Sequence, residues 1–401
     1  MKLLVSTAAR LFKTPDGEYY TPVVYEYDFF KRYLNVFEEV IIAGFCDKIS
    51  YEQAKSMLKI SGERVSFYEF PYPHGEWEYV RKKLKIIRSL KNISKNCDAI
   101  LLRVPETLSF LVMNRAIKEK IPFAIEVVSD PVNLYNRKFC ASKYWFVYKI
   151  WYYIQLRRAA YYANGTSYVT EHELQKRYPP NLKNNENFTT FYTDTNIIID
   201  DTIKQRKFPE NKKIVFIHIS TSIRVNAKGH KEALEAFARL VSDGVDSELV
   251  FVGADKLNQI NENIIKENNL EKYVRFTGKL TPKQVFDELD KADVFLFPSY
   301  NEGLPRVVIE AMSRGLPVIA TDIPAHRELL PAKYLSPVME SQKLYENIKK
   351  IAADSSFYES ASKYCIEKAK EYDVKKIEKK RTEYYKKLYD LSLKKKNDNF
   401  K

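Results

Sequence analysis

The 401-residue sequence is poor in the residues that hold folds together by covalent or metal links. It has four cysteines and five histidines, and neither set has the spacing of a zinc site, a redox motif or a disulfide framework. We therefore expect reduced, buried thiols at Cys46, Cys97, Cys140 and Cys365. No metal site and no cofactor is expected.

Long hydrophobic runs are also missing. No run of 18 apolar residues occurs, so a membrane-spanning helix is not expected, and the opening residues MKLLVSTAARLF indicate a buried strand rather than a signal peptide. Hydrophobic residues make up 45% of the chain and charged residues 29%, which excludes a disordered chain. The length allows two or three domains, and the scarcity of cysteine favours a cytoplasmic protein.

Positive charge is abundant, and it is concentrated in two regions. The net charge is +14; residues 81–160 hold 17 Lys and Arg against 5 Asp and Glu, and residues 366–401 hold 13 against 7. A basic region this local favours an anionic partner, which could be a membrane surface, a nucleic acid or an acidic substrate. No nucleic-acid motif occurs, so we expect no nucleic-acid partner.

Aromatic residues cluster inside the first basic region. Residues 143–158, KYWFVYKIWYYIQLRR, contain seven aromatics, four cations and no acid. Tryptophan and tyrosine flanked by Lys and Arg are typical of the membrane–water interface, and residues 80–92 place Leu84, Ile87 and Leu90 on one stripe among cations. We expect peripheral binding to an anionic membrane, on the inner face of the cell membrane. The alternative is that residues 143–158 form a buried helix.

Strand-like and helix-like segments alternate along the chain, which predicts parallel sheets with helices on both faces. An aperiodic stretch, 179–213, interrupts the alternation before it resumes. The sequence therefore predicts an α/β protein of two Rossmann-like domains, 1–200 and 201–385, facing a cleft, with a basic tail at 386–401.

Residues 297–322, FPSYNEGLPRVVIEAMSRGLPVIATD, lie between two predicted strands and include a predicted helix. Pro305 fits the first turn of that helix, where its missing N–H costs nothing. The free backbone amides of Gly303 and Leu304 would then point out of the helix N-terminus. The pattern predicts a binding site for an anion such as a diphosphate.

Two glutamates accompany this predicted anion site. Glu302 lies beside it, and Glu310, eight residues later, is expected on nearly the same helical face. Carboxylates beside a diphosphate are explained if they bind hydroxyl groups, one on a sugar and one on a ribose diol. The alternative is that both are solvated surface residues.

The string F-P-S-x-x-E-G-L-P-x-x-x-x-E-A-M-x-x-G-x-P-V-I-A-T-D resembles the signature of glycosyltransferase family 4, whose members are retaining enzymes of the GT-B fold. The resemblance implies a C-terminal helix that returns toward the N-terminal domain. It implies transfer of a sugar from a nucleotide sugar, UDP- or GDP-linked, to a saccharide or lipid-linked acceptor. By the same resemblance, Glu302 contacts the transferred sugar and Glu310 contacts the ribose.

Other segments of the C-terminal half support the resemblance. NAKGHKEALEAFARL is similar to a family helix whose lysine, here Lys228, meets the diphosphate. Arg224 precedes this lysine by four residues where the family has a cation about five before it, so the alternative is a solvated loop arginine. Ser222 replaces a family glycine and can donate to a phosphate. VRFTGKL, which contains Thr277, resembles the strand and turn that hold the base. In this metal-free arrangement Lys228, Arg224 and a helix N-terminus stabilise the leaving diphosphate.

The N-terminal half resembles the family only loosely and is expected to bind the acceptor. Gly17, after the first predicted strand, permits close backbone approach, and its alternative is an ordinary turn. Asp130 stands where the family often has a His or Asp near the transferred sugar, which predicts a catalytic role beside Glu302 and Lys228. Its alternative is a loop cap before a proline.

The composition resembles that of bacterial enzymes of surface-polysaccharide assembly, such as those for capsule or lipopolysaccharide. Other activities are possible on the same fold. The alternatives are a nucleotide-sugar-dependent epimerase, a phosphorylase and a binding protein without transferase activity.

Overall fold

The computed structural model describes residues 1–7, 10–22, 25–135, 137, 142–199, 203–210, 212–224 and 226–398, without the side chains of Glu76 and Tyr79. Cys140 and the predicted domain boundary at 200/201 lie outside these residues. The chain divides into two compact units. The first comprises Met1–Tyr192 and Glu378–Lys401, and the second comprises Thr193–Ile377.

One sheet runs through the first unit. Its strands are β1 (Lys2–Ser6), β2 (Leu11–Lys13), β3 (Tyr19–Thr21), β4 (Glu39–Lys48), β5 (Leu58–Lys59), β6 (Val65–Pro71), β7 (Ala99–Val104), β8 (Phe123–Val127), β9 (Gly165–Tyr168) and β10 (Phe188–Phe191). The order is β10-β9-β8-β7-β1-β4-β2-β3-β5, with β6 paired to β4. The β1–β4, β1–β7 and β4–β6 pairs are parallel, whereas β3 runs antiparallel to β2 and β5.

The first unit contains eight helices before residue 192 in its described residues. They are α1 (Tyr27–Leu34), α2 (Tyr51–Ala54), α3 (Glu76–Ser89), α4 (Ile93–Asn96), α5 (Thr107–Glu119), α6 (Pro131–Leu134), α7 (Trp145–Tyr162) and α8 (Glu173–Arg177). Helix α5 buries a continuous apolar face, from Leu108 to Ala116. Helix α7 buries much less, namely Leu156, Ala159 and Ala160 near its end. Most of α7 is therefore outside the core.

The second unit is built on a fully parallel sheet. Its strands are β11 (Ile214–Ser222), β12 (Ser247–Ala254), β13 (Val274–Gly278), β14 (Val294–Phe297), β15 (Val318–Thr321) and β16 (Leu335–Ser336). All neighbouring pairs are parallel, in the order β13-β12-β11-β14-β15-β16. This is the doubly wound order, in which the winding direction reverses between the first and the fourth strand.

Helices surround this sheet. They are α9 (His230–Ser242), α10 (Gln259–Glu267), α11 (Pro282–Lys291), α12 (Arg306–Ser313), α13 (Pro324–Arg327), α14 (Ser341–Ala353) and α15 (Ser355–Ala369). Leu234 and Phe237 of α9 and Leu344 and Ile348 of α14 lie in one apolar core cluster with the sheet. The α/β class and the parallel sheets predicted from the sequence are confirmed.

The last helix, α16 (Val374–Asp398), begins in the second unit, and its residues from Glu378 onward belong to the first. Tyr384 donates a hydrogen bond to the carbonyl of Ile125 at 2.7 Å, and Tyr385 donates one to the buried Glu126 at 2.8 Å. These bonds hold the helix on the central strand β8. The predicted basic tail is therefore helical as far as it is described.

Some short elements were not predicted. The aperiodic stretch 179–213 contains β10, a four-residue edge strand parallel to β9. Strands β2, β3 and β5 have two or three residues, too few for an alternating pattern to show. Among the described residues, no helix has both the length and the apolar content needed to cross a membrane.

The described cysteines are free thiols. Cys97 and Cys365 are buried as predicted, and burial raises the pKa of each thiol to about 12. Cys46 is only partly buried, although burial still raises the pKa of its thiol to about 12. All three thiols are therefore protonated at neutral pH and are poor nucleophiles.

Candidate nucleotide-sugar site in the second unit

The candidate site lies at the switch point of the second sheet, where β11 and β14 are neighbours. Strand β11 leads into a loop with a 3-10 turn at Asn226–Lys228, and β14 leads into the loop that precedes α12. Ligands of open α/β sheets bind outside the carboxyl ends of the strands at such a point. The sheet order thus brings together two segments that are about 70 residues apart in the sequence.

The two loops contact each other through the backbone. Gly229 has a φ of +73°, and a Cβ there would lie 2.1 Å from the carbonyl oxygen of Pro298. The carbonyl of Ala227 accepts hydrogen bonds from the Tyr300 N–H at 2.9 Å and from the Ser299 hydroxyl at 3.3 Å. Only glycine satisfies both the backbone angle and this close approach.

This contact places Lys228 against Glu302. The lysine Nζ lies 2.7 Å from Oε1 of Glu302, and the buried Ser299 hydroxyl donates to the same oxygen at 2.6 Å. The side chains of Lys228 and Glu302 are 28% and 14% exposed. Oε2 of Glu302 has no hydrogen-bond partner among the described residues. The pair is fixed but accessible, with further donors on the lysine and an open acceptor on the carboxylate.

Three buried histidines lie around these loops. His218 Nδ1 is 2.9 Å from the carbonyl oxygen of Leu296, and the ring is 4.6 Å from that of His230. Burial lowers the pKa of His218 well below its usual value and lowers the pKa of His326 to about 4. His218 and His326 are thus neutral at pH 7, which leaves Lys228 as the positive charge held against Glu302.

Helix α12 begins one residue later than predicted. Pro305 is the N-cap, with ψ at 103°, and Arg306 is the first helical residue. Glu302 therefore lies in the loop, and the inference that it shares a helical face with Glu310 is wrong. The backbone N–H groups of Gly303 and Leu304 have no hydrogen-bond partner among the described residues. Binding of an anion by these groups remains a prediction.

Glu310 lies on α12 and is half-buried. Burial raises the pKa of its carboxyl group, and the nearby Arg306 acts in the opposite direction. Its carboxylate has no hydrogen bond or ion pair to the described residues. A desolvated carboxylate without a partner gains most from a ligand that donates hydrogen bonds.

The other predicted nucleotide-site residues lie at nearby strand ends. Ser222 ends β11, and its hydroxyl donates to Asp255 at 2.6 Å and accepts from the Arg224 N–H at 3.3 Å. The exposed Arg224 guanidinium has no partner among the described residues. Thr277 lies on β13 and donates to the Gly278 carbonyl at 3.1 Å. Ligand contacts of these three residues remain predictions.

The two residues predicted in the first unit have structural roles. Asp130 caps α6 by accepting from the Val132 N–H at 3.0 Å, accepts from the Tyr178 hydroxyl at 2.7 Å, and forms an ion pair with Arg177. This is the capping alternative that the Asp-Pro sequence allowed. A catalytic role for Asp130 remains a prediction.

The sequence predicts Gly17 directly after the first strand. Gly17 instead lies in the turn between β2 and β3. Its φ is +88°, and its N–H donates to the carbonyl of Thr14 at 2.9 Å. The positive φ explains the glycine without a ligand. Acceptor binding at Gly17 remains a prediction.

Sequence reasoning missed Ser299, Gly229 and Glu106. Glu106 follows β7 at the corresponding switch point of the first sheet, where β1 and β7 are neighbours. Burial raises the pKa of its carboxyl group to about 7, against the opposing effects of the Leu108 N–H and Arg10. No sequence motif marks Glu106. Its position at the switch point becomes visible only once the pairing of β1 with β7 is known.

The second unit is similar to a known protein family. Residues 199–372 match the family described as glycosyl transferases group 1. Protein CapJ of Staphylococcus aureus is 26% identical over 352 residues, which cover 85% of this chain and 84% of CapJ. The amylovoran biosynthesis glycosyltransferase AmsK of Erwinia amylovora is 30% identical over 135 residues, 31% of this chain and 33% of AmsK.

Solved structures resemble the whole chain. Sucrose-phosphate synthase from Thermosynechococcus elongatus superposes with a TM-score of 0.64 at 15% identity, covering 98% of this chain and all of that one. Anabaena HepE, solved in complex with UDP and glucose, has a TM-score of 0.60 at 16% identity and covers 96% of this chain and 98% of its own. These likenesses confirm the predicted GT-B fold.

The family match includes both Lys228 and Glu302, which the sequence motif had indicated and the sheet order brings together. Residues 199–372 are therefore similar to the group 1 glycosyl transferases.

Proposed function

We propose that the protein transfers a sugar from a nucleoside diphosphate sugar to a hydroxyl group of a saccharide acceptor, with retention of configuration. The observation that carries the proposal is the Lys228–Glu302 pair at the switch point, beside the free amides of Gly303 and Leu304. AmsK is named for amylovoran biosynthesis and HepE binds UDP and glucose, which supports polysaccharide or glycolipid synthesis with a nucleotide-sugar donor.

The leaving group determines the role of Lys228. As the bond between the sugar carbon and the diphosphate oxygen breaks, its electron pair passes to the diphosphate. Lys228 and the amides at the start of α12 stabilise this charge. Lysine has three N–H donors, so it can bind phosphate oxygens while keeping its bond to Glu302. Arg224, whose guanidinium is free, can move to a second phosphate oxygen.

The glutamates select the donor. Oε2 of Glu302 accepts a hydrogen bond from a hydroxyl of the transferred sugar, while Oε1 remains bonded to Lys228 and Ser299. Glu310 accepts two hydrogen bonds from the ribose diol, which replaces the water that burial removes from its carboxylate. The acceptor oxygen attacks from the face that the diphosphate leaves, and its proton passes to the departing phosphate oxygen.

A lipid-linked acceptor is supported by the surface of the first unit. Helices α3 and α7 expose large apolar side chains, including Trp77 at 86%, Leu84 at 67% and Val147 at 59%. Cations accompany them, whereas acids are few in this region. Aromatic and aliphatic side chains among cations favour the interface of an anionic membrane. We place the protein on the inner face of the cell membrane.

The test is turnover of donors. Purified protein is incubated with UDP-sugars and GDP-sugars, with and without acceptor lipids, and released nucleoside diphosphate is measured. Acceptor-dependent release from one donor, abolished in Lys228→Ala, is expected. Donor binding without release of UDP or GDP would instead indicate a binding protein, and release that depends on inorganic phosphate would indicate a phosphorylase.

A further inference from the structure

A cavity of about 450 Å³ lies where α7 meets the segment that follows α8. Arg157, Arg158 and Lys183 are three of its lining residues, and Tyr161 and Tyr162 are two more. All belong to the first unit, far in sequence from the nucleotide-sugar site. The cavity lining contains cations, tyrosines and apolar or amide side chains, and no acid among the described residues.

The three cations of this cavity lack acidic partners. Arg157 bonds to the Tyr153 hydroxyl at 3.2 Å, and Arg158 bonds to the neutral amide oxygens of Gln155 and Asn114 at 3.1 and 3.2 Å. Neither arginine forms an ion pair with a described residue, and the same holds for Lys183.

Nearby lysines differ, since Lys176 pairs with Glu173 and Lys394 pairs with Glu186. Three uncompensated cations around one cavity create a local positive potential that a bound anion would relieve. Guanidinium groups suit phosphate in particular, because they present paired N–H donors that match its oxygens.

The cavity continues an apolar stripe on α7. Phe146, Ile150 and Ile154 are exposed and follow one another at four-residue spacing, and Tyr161 lies seven residues further on the same face. This stripe ends at the arginines, so a helix lying in a membrane interface would bring the cavity to the level of the lipid headgroups. Tyr161 and Tyr162 are exposed there, as is usual for tyrosine at that depth.

We propose that this cavity binds the phosphate group of an anionic membrane lipid while the stripe of α7 lies in the interface. The inference rests on the proposed membrane binding but not on the transfer reaction. It assigns a specific headgroup site, which a general attraction between cations and an anionic surface does not require.

The experiment compares two anionic vesicles of equal surface potential. One contains phosphatidylglycerol in phosphatidylcholine, and the other contains oleate, whose charge is a carboxylate, at a pH at which both are ionised. Wild type should bind the phosphatidylglycerol vesicles about tenfold more tightly, whereas Arg157→Gln/Arg158→Gln/Lys183→Gln should bind both kinds alike. Each lost cation near the surface should weaken binding about fivefold.

A matched control removes the same charge elsewhere. Lys83→Gln/Lys85→Gln/Arg88→Gln neutralises three exposed cations of α3 and should weaken binding to both vesicles equally, keeping the preference for phosphatidylglycerol. Thermal unfolding and donor turnover with a soluble acceptor, unchanged in both triple variants, would show that folding and the proposed function are intact.

Three results would overturn the proposal. The first is equal binding of wild type to both vesicles, and the second is a control triple that loses the preference as fully as the cavity triple, since either would mean general charge attraction. The third is binding of soluble glycerol phosphate without vesicles, lost only in the cavity triple. That result would assign the cavity to a free phosphate compound instead of a lipid.

Discussion

The two units share one feature of sheet order. In each sheet the strand that opens the parallel part lies beside the strand at which the winding direction reverses, β1 next to β7 and β11 next to β14. In the second unit, the loops after these strands hold a lysine–glutamate pair that a long sequence signature marks. In the first unit, the corresponding position holds Glu106, which no motif marks, and the distinctive residues lie on outer helices. The same strand order therefore accompanies a lysine–glutamate pair at the switch point in one unit, and an exposed apolar and basic surface on outer helices in the other.

The largest expected effect is a loss of turnover when the lysine–glutamate pair of the second unit is disrupted. Lys228→Ala should lower kcat by roughly 10²–10³-fold, because a preorganised charge at the leaving diphosphate is lost. Lys228→Arg should restore only part of it, since the planar guanidinium differs in shape from the ammonium. Steady-state donor turnover measures both. Lys231→Ala, an exposed lysine on α9, is the control, and a turnover in Lys228→Ala like that of the control would exclude this role.

Nucleotide affinity and turnover should separate at the two glutamates. Glu310→Ala should weaken binding of the free nucleoside diphosphate by about 1–3 kcal/mol, because the ribose loses its acceptor. Glu302→Ala should lower turnover more than nucleotide affinity, since its proposed partner is the sugar. Calorimetry with UDP and GDP, combined with donor turnover, distinguishes them. Unaltered nucleotide binding in Glu310→Ala would remove Glu310 from the site.

Glu106, at the switch point of the first unit, should make the free energy of unfolding depend on pH. Burial raises the pKa of Glu106 to about 7, so between its ordinary pKa and 7 the folded state binds more protons than the unfolded state. Stability should therefore fall as pH rises from about 4.5 to 7. In Glu106→Gln, the decrease in the free energy of unfolding over this pH range should be smaller by about 1–3 kcal/mol. Urea unfolding at pH 5 and pH 8 measures it, with the exposed Glu63→Gln as control, and parallel pH profiles for wild type and Glu106→Gln would refute the shift.

The smallest expected effect concerns the outer face of the first unit. Phe146→Ser/Ile150→Ser should weaken the salt-resistant part of vesicle binding by about 1–2 kcal/mol, because apolar area no longer enters the interface. The salt-sensitive part, which comes from the cations, should remain. Cosedimentation with phosphatidylglycerol vesicles across a salt series separates the two parts. An unchanged salt curve in this folded variant would mean that α7 does not insert.

The outward face of α7 illustrates what composition alone leaves open. Residues 143–158 fit either a buried helix or an interfacial one, because tyrosine and tryptophan occur in both. Packing decides the matter: only Leu156, Ala159 and Ala160 of α7 are buried, while Trp151 is partly exposed and packs edge-on against Phe110. Exposed tryptophan and isoleucine side chains are then a surface feature that needs a partner.

By itself, the sequence determined the α/β class, the alternation of elements and the local signature around Glu302, because these depend on short-range periodicity and on turn residues such as Pro305. Only the tertiary structure decided which distant residues meet. Lys228 reaches Glu302 because β11 lies beside β14 and Gly229 lets two backbones touch. Asp130, besides its local cap on α6, is bonded by Arg177 and Tyr178, which lie more than 40 residues further along the chain. Contacts across such distances depend on the order of strands in a sheet, which no local pattern encodes.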